Sequence, residues 1–377
     1  MKILFVITGL GVGGAEKIVT SLADELAERK HEVVIAYMTG AAIVTPRNKN
    51  IKLINLNMSS TISLPIAYLK LRKLINEFQP DVVHSHLVHA NIMSRLIRLT
   101  TPVPKLITTA HNTNEGGGLR MFAYRLTDKL ATVSTNVSQE AVDAFIKNKA
   151  VEKGRMIAIY NSISTNEFCF SQDKRDYIRK ELKVDIDTQL ILAVGSLTEQ
   201  KDYPNLIAAF SITSKYNIKA KLAIVGDGPL LKDLNELTHE LGLDDKVLFL
   251  GIRNDIPALM SAADIFVLSS AWEGFGLVVA EAMSCQRVVV ATDCGGVRDV
   301  VGDAGFLVPP KDSKQLSDAI VEAISLSNNE KLELGARARQ RITDNYSLSS
   351  TTDKWIFIYT LPNSKLNNPN YMKQVNL

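Results

Sequence analysis

The chain has 377 residues, of which 46% are hydrophobic and 22% charged, and its formal net charge is +3 at pH 7. That length exceeds one ordinary hydrophobic core, so two domains are expected, and charged residues break every apolar run before the roughly 18 residues that a membrane-spanning helix needs. The three cysteines, at positions 169, 285 and 294, are too few and too irregularly spaced for a disulfide framework or a metal site, which indicates a reducing, cytoplasmic setting.

The first half of the chain alternates short apolar runs with helical periodicity, a pattern typical of a parallel sheet covered by helices. An opening strand is favoured over a signal peptide, because the first residues lead directly into glycines and an amphipathic helix. We predict strands at Lys2–Thr8, Glu32–Tyr37, Val82–His84 and Leu106–Ala110, and helices at Ala15–Glu28 and Leu64–Phe78.

The alternation restarts after a polar stretch of weak periodicity at 167–187, which we interpret as a linker. Beyond it we predict strands at Leu190–Val194, Lys221–Val225, Val247–Leu250, Ile265–Leu268 and Val288–Ala291, and helices at Tyr203–Tyr216, Pro229–Leu241 and Thr351–Thr360.

Two successive sets of strands and helices predict an α/β protein with two Rossmann-like parallel-sheet domains facing a cleft, and ligands at the carboxyl ends of the strands. The expected divisions are a first domain at 1–166, the linker at 167–187, a second domain at 188–345, a terminal helix at 346–361 and a disordered tail at 362–377.

The most informative segment follows the strand at Ile265–Leu268 and carries two glutamates eight residues apart, Glu273 and Glu281. Between them a turn, Gly274-Phe275-Gly276, leads into a helix, and a strand, glycine turn and helix start together form a cradle for phosphate. Carboxylates repel phosphate, so the two glutamates suit sugar hydroxyl groups on either side of it. The segment therefore predicts a nucleotide-sugar ligand.

A glycine-rich turn after the first strand, at 9–14, matches the G-x-G-x-x-G pattern of dinucleotide-binding domains. That function also requires an acidic residue near the end of the second strand, and here the strand ends without one. The pattern therefore disfavours NAD, and Gly13, Gly14 and Glu16 are expected to meet a donor phosphate or an acceptor.

Histidines end two of the predicted strands, His84 and His86 on one and His111 on the next. No thiol or carboxylate stands at ligand spacing, so a metal site is not predicted. A histidine is often structural, but His111 precedes the glycine-rich loop at 116–118, and we favour a site role for it. We also assign His86 to the acceptor.

Three further loops follow strands of the second half. Lys201 is the candidate cation for a diphosphate, with an ordinary surface lysine as the alternative. Gly226 either lets the backbone approach a nucleotide base or simply makes a tight connection to the next helix. Gly295 and Gly296 form another turn that opens a helix.

Together these motifs resemble the retaining glycosyltransferases of the GT-B fold, specifically family 4, over nearly the whole chain. The Glu-x7-Glu motif is the most specific element. The others are, in chain order, Gly13-Gly14-Ala15-Glu16, His111, Tyr160-Asn161-Ser162, Gln200-Lys201, Gly226-Asp227-Gly228-Pro229 and Gly295-Gly296.

The resemblance implies a role for each matching residue. In the family, the position of Glu281 binds the ribose hydroxyls and that of Glu273 contacts the transferred sugar. The lysine at Lys201 neutralises the diphosphate, and the histidine at His111 contacts the donor sugar near the reacting carbon, which makes His111, Glu273 and Lys201 the implied catalytic residues. The C-terminal helix is expected to cross back onto the first domain. Backbone groups that cap the diphosphate are implied at Phe275, Gly276 and Leu277.

The chain also departs from the family pattern. An arginine that commonly provides a second diphosphate cation is Ser196 here, and Arg253 and Arg298 are the candidates to replace it. The glycine common after Asn161 is Ser162, and the glutamate common after the Gly-Gly pair is Asp299. Our expected donor contacts are completed by Gly13, Gly14, Ser196, Gly226 and Arg253.

Residues 1–165 hold 20 Lys and Arg against 12 Asp and Glu, which indicates an anionic partner or ordinary solvated helix faces. We therefore predict a retaining transfer of a hexose or N-acetylhexosamine from a nucleoside diphosphate sugar, expected to be a UDP-sugar. The expected acceptor is a polyprenyl-diphosphate-linked glycan at the inner face of an anionic cell membrane, in the assembly of a surface polysaccharide such as capsule or lipopolysaccharide. Neither a cofactor, a metal nor a nucleic acid is expected.

Three alternatives stay open at this point. A sugar-nucleotide epimerase or a phosphorylase on the same fold would turn over the donor without a saccharide acceptor. An NAD-dependent enzyme would use the first glycine turn, and a non-catalytic sugar-binding protein would tolerate the loss of Lys201.

Overall fold

The structure is a computed structural model that describes residues 1–58, 61–113, 115–216 and 219–366. The chain divides into two compact units: unit 1 comprises Met1–Ser162 and the residues from Leu348 onward, and unit 2 comprises Ile163–Ser347. Each unit holds one parallel sheet, which confirms the α/β class expected from the sequence. No helix within the described ranges is long and apolar enough to cross a bilayer.

Unit 1 is built on a described sheet of seven parallel strands in the order β3-β2-β1-β4-β5-β6-β7. These are β1 (Lys2–Gly9), β2 (Glu32–Thr39), β3 (Lys52–Asn55), β4 (Val82–His86), β5 (Leu106–Ala110), β6 (Val133–Asn136) and β7 (Met156–Ala158). The helices up to residue 162 are α1 (Gly14–Glu28), α2 (Leu64–Phe78), α3 (Val88–Ile97), α4 (Gly118–Thr127) and α5 (Gln139–Lys147).

Helices cover both faces of this sheet, which is why its central strand is apolar along its length. Residues 3–7 of β1 are all 0% exposed. Alternate side chains enter two cores, one shared with α1 and the other with α2 and α3. The second core continues into a cluster between α3, α4 and α5. Thus α2, α3 and α4 lie on the face opposite α1.

Unit 2 contains a described sheet of six parallel strands in the order β10-β9-β8-β11-β12-β13. These are β8 (Gln189–Val194), β9 (Ala220–Val225), β10 (Val247–Phe249), β11 (Ile265–Leu268), β12 (Val288–Thr292) and β13 (Phe306–Val308). The helices are α6 (Gln172–Glu181), α7 (Tyr203–Thr213), α8 (Leu231–Glu240), α9 (Ile256–Ala262), α10 (Leu277–Ser284), α11 (Val297–Val301), α12 (Ser313–Ser325) and α13 (Asn328–Tyr346).

The interpretation of 167–187 as a linker is wrong for its central part, because α6 lies there and belongs to unit 2. Arg175 and Arg179, one turn apart, bind the two carboxylate oxygens of Asp264 at 2.5 and 3.0 Å. Burial raises the pKa of Asp264, but the charge of Arg175 and a backbone hydrogen bond outweigh it and hold the pKa below its usual value. The face of α6 that packs against the rest of unit 2 therefore carries two arginines. A search for apolar periodicity does not detect such a helix.

The last two helices, α14 (Leu348–Thr360) and α15 (Asn363–Leu366), belong to unit 1. Trp355, Ile358 and Tyr359 of α14 enter the same core as α1. The ammonium group of the buried Lys105 donates to backbone carbonyls at the end of α14, where a cation is favoured by the helix dipole. The prediction of a disordered tail from residue 362 is wrong for α15, and residues 367–377 lie outside the described part.

Candidate functional site

Strand order brings Lys201 and Glu273 to the same point of unit 2. Lys201 follows β8 and Glu273 follows β11, which are neighbouring strands. After β8 the chain continues to β9, toward one edge of the sheet, and after β11 it continues to β12, toward the other edge. The strand order therefore reverses between β8 and β11. Open α/β sheets bind ligands at the carboxyl ends of strands at such a switch point.

The ammonium group of Lys201 forms an ion pair with Oε1 of Glu273. The hydroxyl of Ser270 donates to the same oxygen at 2.9 Å. Glu273 is only 8% exposed, and a carboxylate buried to that extent needs charged or hydrogen-bonding partners. Sequence reasoning missed Ser270, although it lies two residues after a predicted strand.

Backbone hydrogen bonds hold the two loops together. The amide of Ala271 donates to the carbonyl of Gln200 at 2.8 Å, and the side-chain amide of Gln200 donates to the carbonyl of Trp272 at 3.1 Å. The hydroxyl of Ser269 donates to the carbonyl of Lys201 at 2.8 Å. The position of the Lys201–Glu273 pair is therefore fixed by the backbone on both sides.

Helix α10 begins at Leu277, directly after Gly276, and no side chain caps its first turn. The first amide groups of a helix have no partner inside the helix, and with the helix dipole they attract anions. Glu281, in the second turn of α10, is 7% exposed. The ring of Phe275 is buried and packs edge-on against Tyr346, so only the backbone of Phe275 is available to a ligand.

Gly295 lies directly against the backbone of Glu273. A Cβ atom at residue 295 would stand 1.9 Å from the carbonyl oxygen of Glu273, and φ of Gly295 is +57°. The next amide, of Gly296, donates to the carbonyl of Gly274 at 3.1 Å. Thus the Gly-Gly turn after β12 packs directly against the backbone of the loop that carries Glu273.

Gly226 has a similar packing role next to β8. A Cβ atom there would stand 1.9 Å from the carbonyl oxygen of Gly195, so this turn packs tightly against the loop after β8. Ser196, next in the chain, is exposed, and its hydroxyl lies 3.5 Å from that of Thr198. The contacts of both residues with a donor stay predictions.

The structure places Arg253 away from the Lys201–Glu273 pair and gives it other partners, so its role as the second diphosphate cation stays a prediction. Arg253 follows β10, an edge strand that β9 and β8 separate from β11, a lateral distance of about 14 Å at ordinary strand spacing. Its guanidinium binds Glu181 and Asp255, both at 2.6 Å, and these contacts raise its pKa. The other candidate, Arg298, follows β12 beside β11 but forms an ion pair with Asp293.

In unit 1, three histidine rings cluster at the ends of the neighbouring strands β4 and β5. The rings of His84 and His86 are 4.1 Å apart, and Nδ1 of His86 lies 3.1 Å from Nε2 of His111. His84 is held by the hydroxyls of Tyr359 and Thr109, both at 2.7 Å. The predicted acceptor contact of His86 is contradicted, because its ring is 1% exposed and lies behind His111.

Burial determines the charge and the tautomers of this cluster. It lowers the pKa of His111 to about 4 and those of His84 and His86 well below the usual value, so the three rings are neutral at pH 7. Nε2 of His86 is buried without a hydrogen-bond partner among the described residues. An unsatisfied buried N–H is rarer than an unsatisfied acceptor, so we assign the hydrogen of His86 to Nδ1, which donates to His111. His111 then carries its own hydrogen on Nδ1.

Glu115 fixes the backbone of His111 and was missed as a site residue. Its carboxylate accepts the amide hydrogen of His111 at 2.9 Å. Burial raises the pKa of Glu115, and backbone hydrogen bonds from His111 and from Val88, the first residue of α3, partly oppose that rise. The loop after β5 is therefore tied to the start of α3.

The first glycine turn follows β1, which pairs with β4, so it lies beside the histidines at the same sheet edge. Gly13 precedes α1, and Gly14 is its first residue. The carboxylate of Glu16 folds over Gly13, where a Cβ atom would stand 2.4 Å from Oε2, and burial raises its pKa. Contacts of Gly13, Gly14 and Glu16 with donor or acceptor stay predictions.

Two family models match the chain. The model described as Glycosyltransferase Family 4 matches residues 12–167, and the model described as Glycosyl transferases group 1 matches residues 174–341. Together they span most of both units.

Curated relatives and solved structures agree with these models. N-acetyl-alpha-D-glucosaminyl L-malate synthase of Bacillus anthracis is 27% identical over 372 residues, covering 92% of this chain and 94% of that protein. UDP-Gal:alpha-D-GlcNAc-diphosphoundecaprenol alpha-1,3-galactosyltransferase of Escherichia coli is 28% identical over 327 residues, covering 81% and 80%. The structure of Anabaena HepE with UDP superimposes with a TM-score of 0.82 at 23% identity, over 95% of this chain and 99% of that one. This last likeness confirms the GT-B fold expected from the sequence.

Proposed function

The chain belongs to the glycosyltransferases of family 4, with a group 1 domain in its second half, and we propose that it transfers a hexose or N-acetylhexosamine from a UDP-sugar to a lipid-linked glycan, with the anomeric configuration retained. The observation that carries this proposal is the pair Lys201–Glu273 at the switch point of unit 2, beside the uncapped start of α10.

This arrangement suits a nucleoside diphosphate sugar because the groups that attract the diphosphate are separate from the carboxylates that accept hydrogen bonds from hydroxyl groups. The amide groups at the start of α10 and the ammonium group of Lys201 favour a diphosphate. An ammonium group has three hydrogens to donate, so Lys201 binds a phosphate oxygen while it keeps Glu273. The buried carboxylates of Glu273 and Glu281 accept hydrogen bonds from sugar and ribose hydroxyls.

The proposed reaction needs no covalent intermediate with the protein. The bond between the anomeric carbon and the diphosphate oxygen breaks, and the diphosphate leaves with the electron pair. The acceptor hydroxyl forms the new bond on the same face and gives its proton to the departing phosphate oxygen. Lys201 and α10 stabilise the charge that develops there, a role that commonly contributes several kcal/mol, and we propose a part in the transfer for the neutral ring of His111.

Two relatives favour different acceptors. The name of the Escherichia coli protein contains a UDP-sugar and a diphosphoundecaprenol-linked sugar, which supports a lipid-linked acceptor at the inner face of the cell membrane and a role in surface polysaccharide assembly. The Bacillus anthracis protein, matched over more of the chain, has L-malate in its name. A small hydroxy acid is therefore the second candidate acceptor.

The test is a transfer assay on the purified chain in EDTA, with UDP-glucose, UDP-galactose, UDP-N-acetylglucosamine, GDP-mannose and ADP-glucose as donors. Each donor is given alone, with a polyprenyl-diphosphate-linked sugar in detergent, or with L-malate, and the anomeric configuration of the product is read by NMR. We expect rapid UDP release only with the lipid-linked acceptor, and an α-linked product.

Each other outcome overturns a defined part of the proposal. Turnover of a donor without acceptor indicates the epimerase or phosphorylase alternative, and activity with L-malate indicates the second acceptor. Loss of activity in EDTA contradicts the metal-independent mechanism. Calorimetric titration with UDP, GDP, ADP and NAD completes the test, since tight binding of NAD alone contradicts the donor site.

A further inference from the structure

The outer surface of α2, α3 and α4 concentrates exposed apolar side chains. These helices form one layer on unit 1, in which α3 packs against both of its neighbours. Of the nineteen exposed large apolar side chains in the described part of the chain, nine lie on this layer, whereas the others are scattered over both units. The nine are Ile62, Leu64, Ile66, Leu69, Leu96, Leu99, Leu119, Phe122 and Leu126.

The exposed apolar side chains of helix α4 are regularly spaced along one side of the helix. Leu119, Phe122 and Leu126 are spaced by three and four residues, so they form one stripe, and they are 84%, 56% and 67% exposed. Met121 and Tyr124, on the opposite side of α4, are buried in the core. A helix that is apolar on both sides has a second partner to meet.

Helices α2 and α3 continue the stripe. Ile66 and Leu69 point away from Ala67 and Leu71, which are buried under α2. Leu96 and Leu99 are exposed at the end of α3, whose Met93 and Ile97 are buried. The apolar residues thus extend over three adjacent helices rather than over one. The contiguous surface of α2, α3 and α4 is called the α2–α4 surface below.

Charge identifies the kind of partner. Between residues 64 and 129 there are nine Lys and Arg against four Asp and Glu. Two of the nine cations, Arg95 and Lys105, and two of the four carboxylates, Glu115 and Asp128, are buried, which leaves seven cations against two carboxylates. Arg72, Lys73 and Arg125 are exposed on α2 and α4. Exposed apolar side chains and exposed cations on the same helices are typical of a surface that binds the interface of an anionic bilayer.

We propose that the α2–α4 surface docks this glycosyltransferase on an anionic lipid bilayer. Leu119, Phe122 and Leu126 enter the headgroup region, and Arg72 and Arg125 contact lipid phosphates. The inference rests on the proposed function for its choice of partner, since a lipid-linked acceptor lies in the same bilayer. A second copy of the chain is disfavoured, because a symmetric contact would bring two cationic surfaces together.

The α2–α4 surface is distinct from the histidine cluster of unit 1. His84 lies in contact with Trp355 and Tyr359 of α14, on the face of the sheet opposite α2, α3 and α4. Substitutions on the outer side of α4 therefore leave the histidines in place, and membrane binding can be tested separately from catalysis.

The test is flotation of the full chain with vesicles of phosphatidylglycerol and phosphatidylcholine in equal parts, and with vesicles of phosphatidylcholine alone. The apolar variant is Leu119→Ser with Phe122→Ser and Leu126→Ser. The charge variant is Arg72→Glu with Arg125→Glu. The matched control, on exposed positions of unit 2, is Ile252→Ser with Leu332→Ser and Lys232→Glu.

We expect binding to the anionic vesicles that falls at high salt, and a loss of at least about tenfold in partitioning for the apolar and charge variants. The control variant keeps wild-type binding. All variants keep the melting temperature and the calorimetric affinity for UDP. No binding of the wild type, or equal binding of all variants, overturns the inference. A shift of the apolar variant from dimer to monomer without an effect on vesicles assigns the surface to a second copy.

The docking surface and the proposed reaction fail separately. If vesicles do not bind but transfer to the lipid-linked acceptor proceeds in detergent, the reaction stands and the docking surface is wrong. If vesicles bind but only L-malate is glycosylated, the surface stands and the lipid-linked acceptor is wrong.

Discussion

The carboxyl edges of the two sheets have the same topology but opposite chemistry. In unit 2 the edge between β8 and β11 holds an ion pair, Lys201–Glu273, next to the uncapped start of α10. In unit 1 the edge between β4 and β5 holds neutral rings, in which His86 supports His111. Both edges lie at or beside the point where the strand order reverses.

The difference shows how one topology serves two kinds of recognition. A fixed cation and a helix start favour a ligand with permanent negative charge, such as a diphosphate. A neutral imidazole held by a buried partner offers a directed hydrogen bond without charge, which suits a sugar hydroxyl. The topology places the side chains, and their burial and pairing decide what they bind.

The largest expected effect concerns the charged edge. Lys201→Ala is expected to lower kcat/KM by a factor of about 10²–10³, because the charge that develops on the diphosphate loses its cation. The affinity for UDP falls as well, by calorimetry. Lys232→Ala, at an exposed position of α8, is the matched control and keeps both values.

A second variant separates catalysis from support of Glu273. Lys201→Ala leaves the carboxylate of Glu273 buried without its cation, which lowers the melting temperature. Adding Glu273→Gln removes that charge, so the melting temperature recovers, while kcat/KM stays well below that of the single variant Glu273→Gln. Equal kcat/KM values for the double variant and for Glu273→Gln alone would mean that Lys201 only holds Glu273 in place.

The next effect tests whether the charged edge depends on close backbone packing. Gly295→Ala is expected to lower the free energy of unfolding by about 3 kcal/mol and to weaken UDP binding, because the new Cβ collides with the carbonyl of Glu273. Gly242→Ala is the control, since Gly242 has a similar φ of +64° but no atom within 4 Å of the added Cβ. Its expected cost is about 1 kcal/mol, from the backbone conformation alone. Equal losses in the two variants would contradict the packing argument.

The neutral histidines at the carboxyl edge of the unit 1 sheet predict that the folded state loses stability in acid. An unfolded histidine has a pKa near 6.5, and folding lowers that of His111 to about 4, so the unfolded chain binds more protons between these values. Stability is complete above pH 6.5 and is lost as the pH falls toward 4, by about 3 kcal/mol for this ring at about 1.4 kcal/mol per pKa unit. Denaturant titrations at several pH values measure the slope, and His111→Asn is expected to reduce it. His239→Asn, at an exposed position of α8, leaves the slope unchanged unless the assignment to His111 is wrong.

The smallest effect tests whether His86 positions His111. His86→Leu removes the hydrogen bond to His111 and is expected to lower kcat about tenfold, or about 1.4 kcal/mol, with little change in KM. His86→Asn keeps a donor near the position of Nδ1 and restores most of kcat. A residue that only fills the core would not distinguish the two variants in this way, so equal kcat values would contradict the positioning role.

Short-range patterns in the sequence predicted much of this molecule. Apolar runs predicted the central strands β1, β8 and β11, because parallel strands buried on both faces must be apolar along their length. The glutamate spacing at Glu273 and Glu281 and the glycines around them indicated the family, and they are the basis of the proposed nucleotide-sugar site. These features depend on residues within one strand, turn and helix, so they are readable without knowing the neighbours.

Pairings between distant residues were not readable in this way. The polar segment that contains α6 was taken for a linker, because the partner of Arg175 and Arg179 is Asp264, more than eighty residues away. Arg253 was assigned to the donor because its charge suited a diphosphate, but the strand order places it at an edge and Glu181 and Asp255 bind it. The same limit applies to Ser270 and Glu115, whose roles depend on loops that meet only in the fold.

The sequence by itself determined the two parallel sheets, the family and the residue types of the proposed donor site, because local burial and turn geometry require particular residues at particular spacings. The tertiary structure decided which loops meet, which charges are paired and which histidine of the cluster keeps partial access to solvent. Strand order and side-chain burial depend on contacts between residues that are far apart in the chain: Lys201 and Glu273 are separated by 72 residues. The ring of His86 is buried for the same reason, since Phe5, His84 and His111, which come from three different parts of the chain, pack around it.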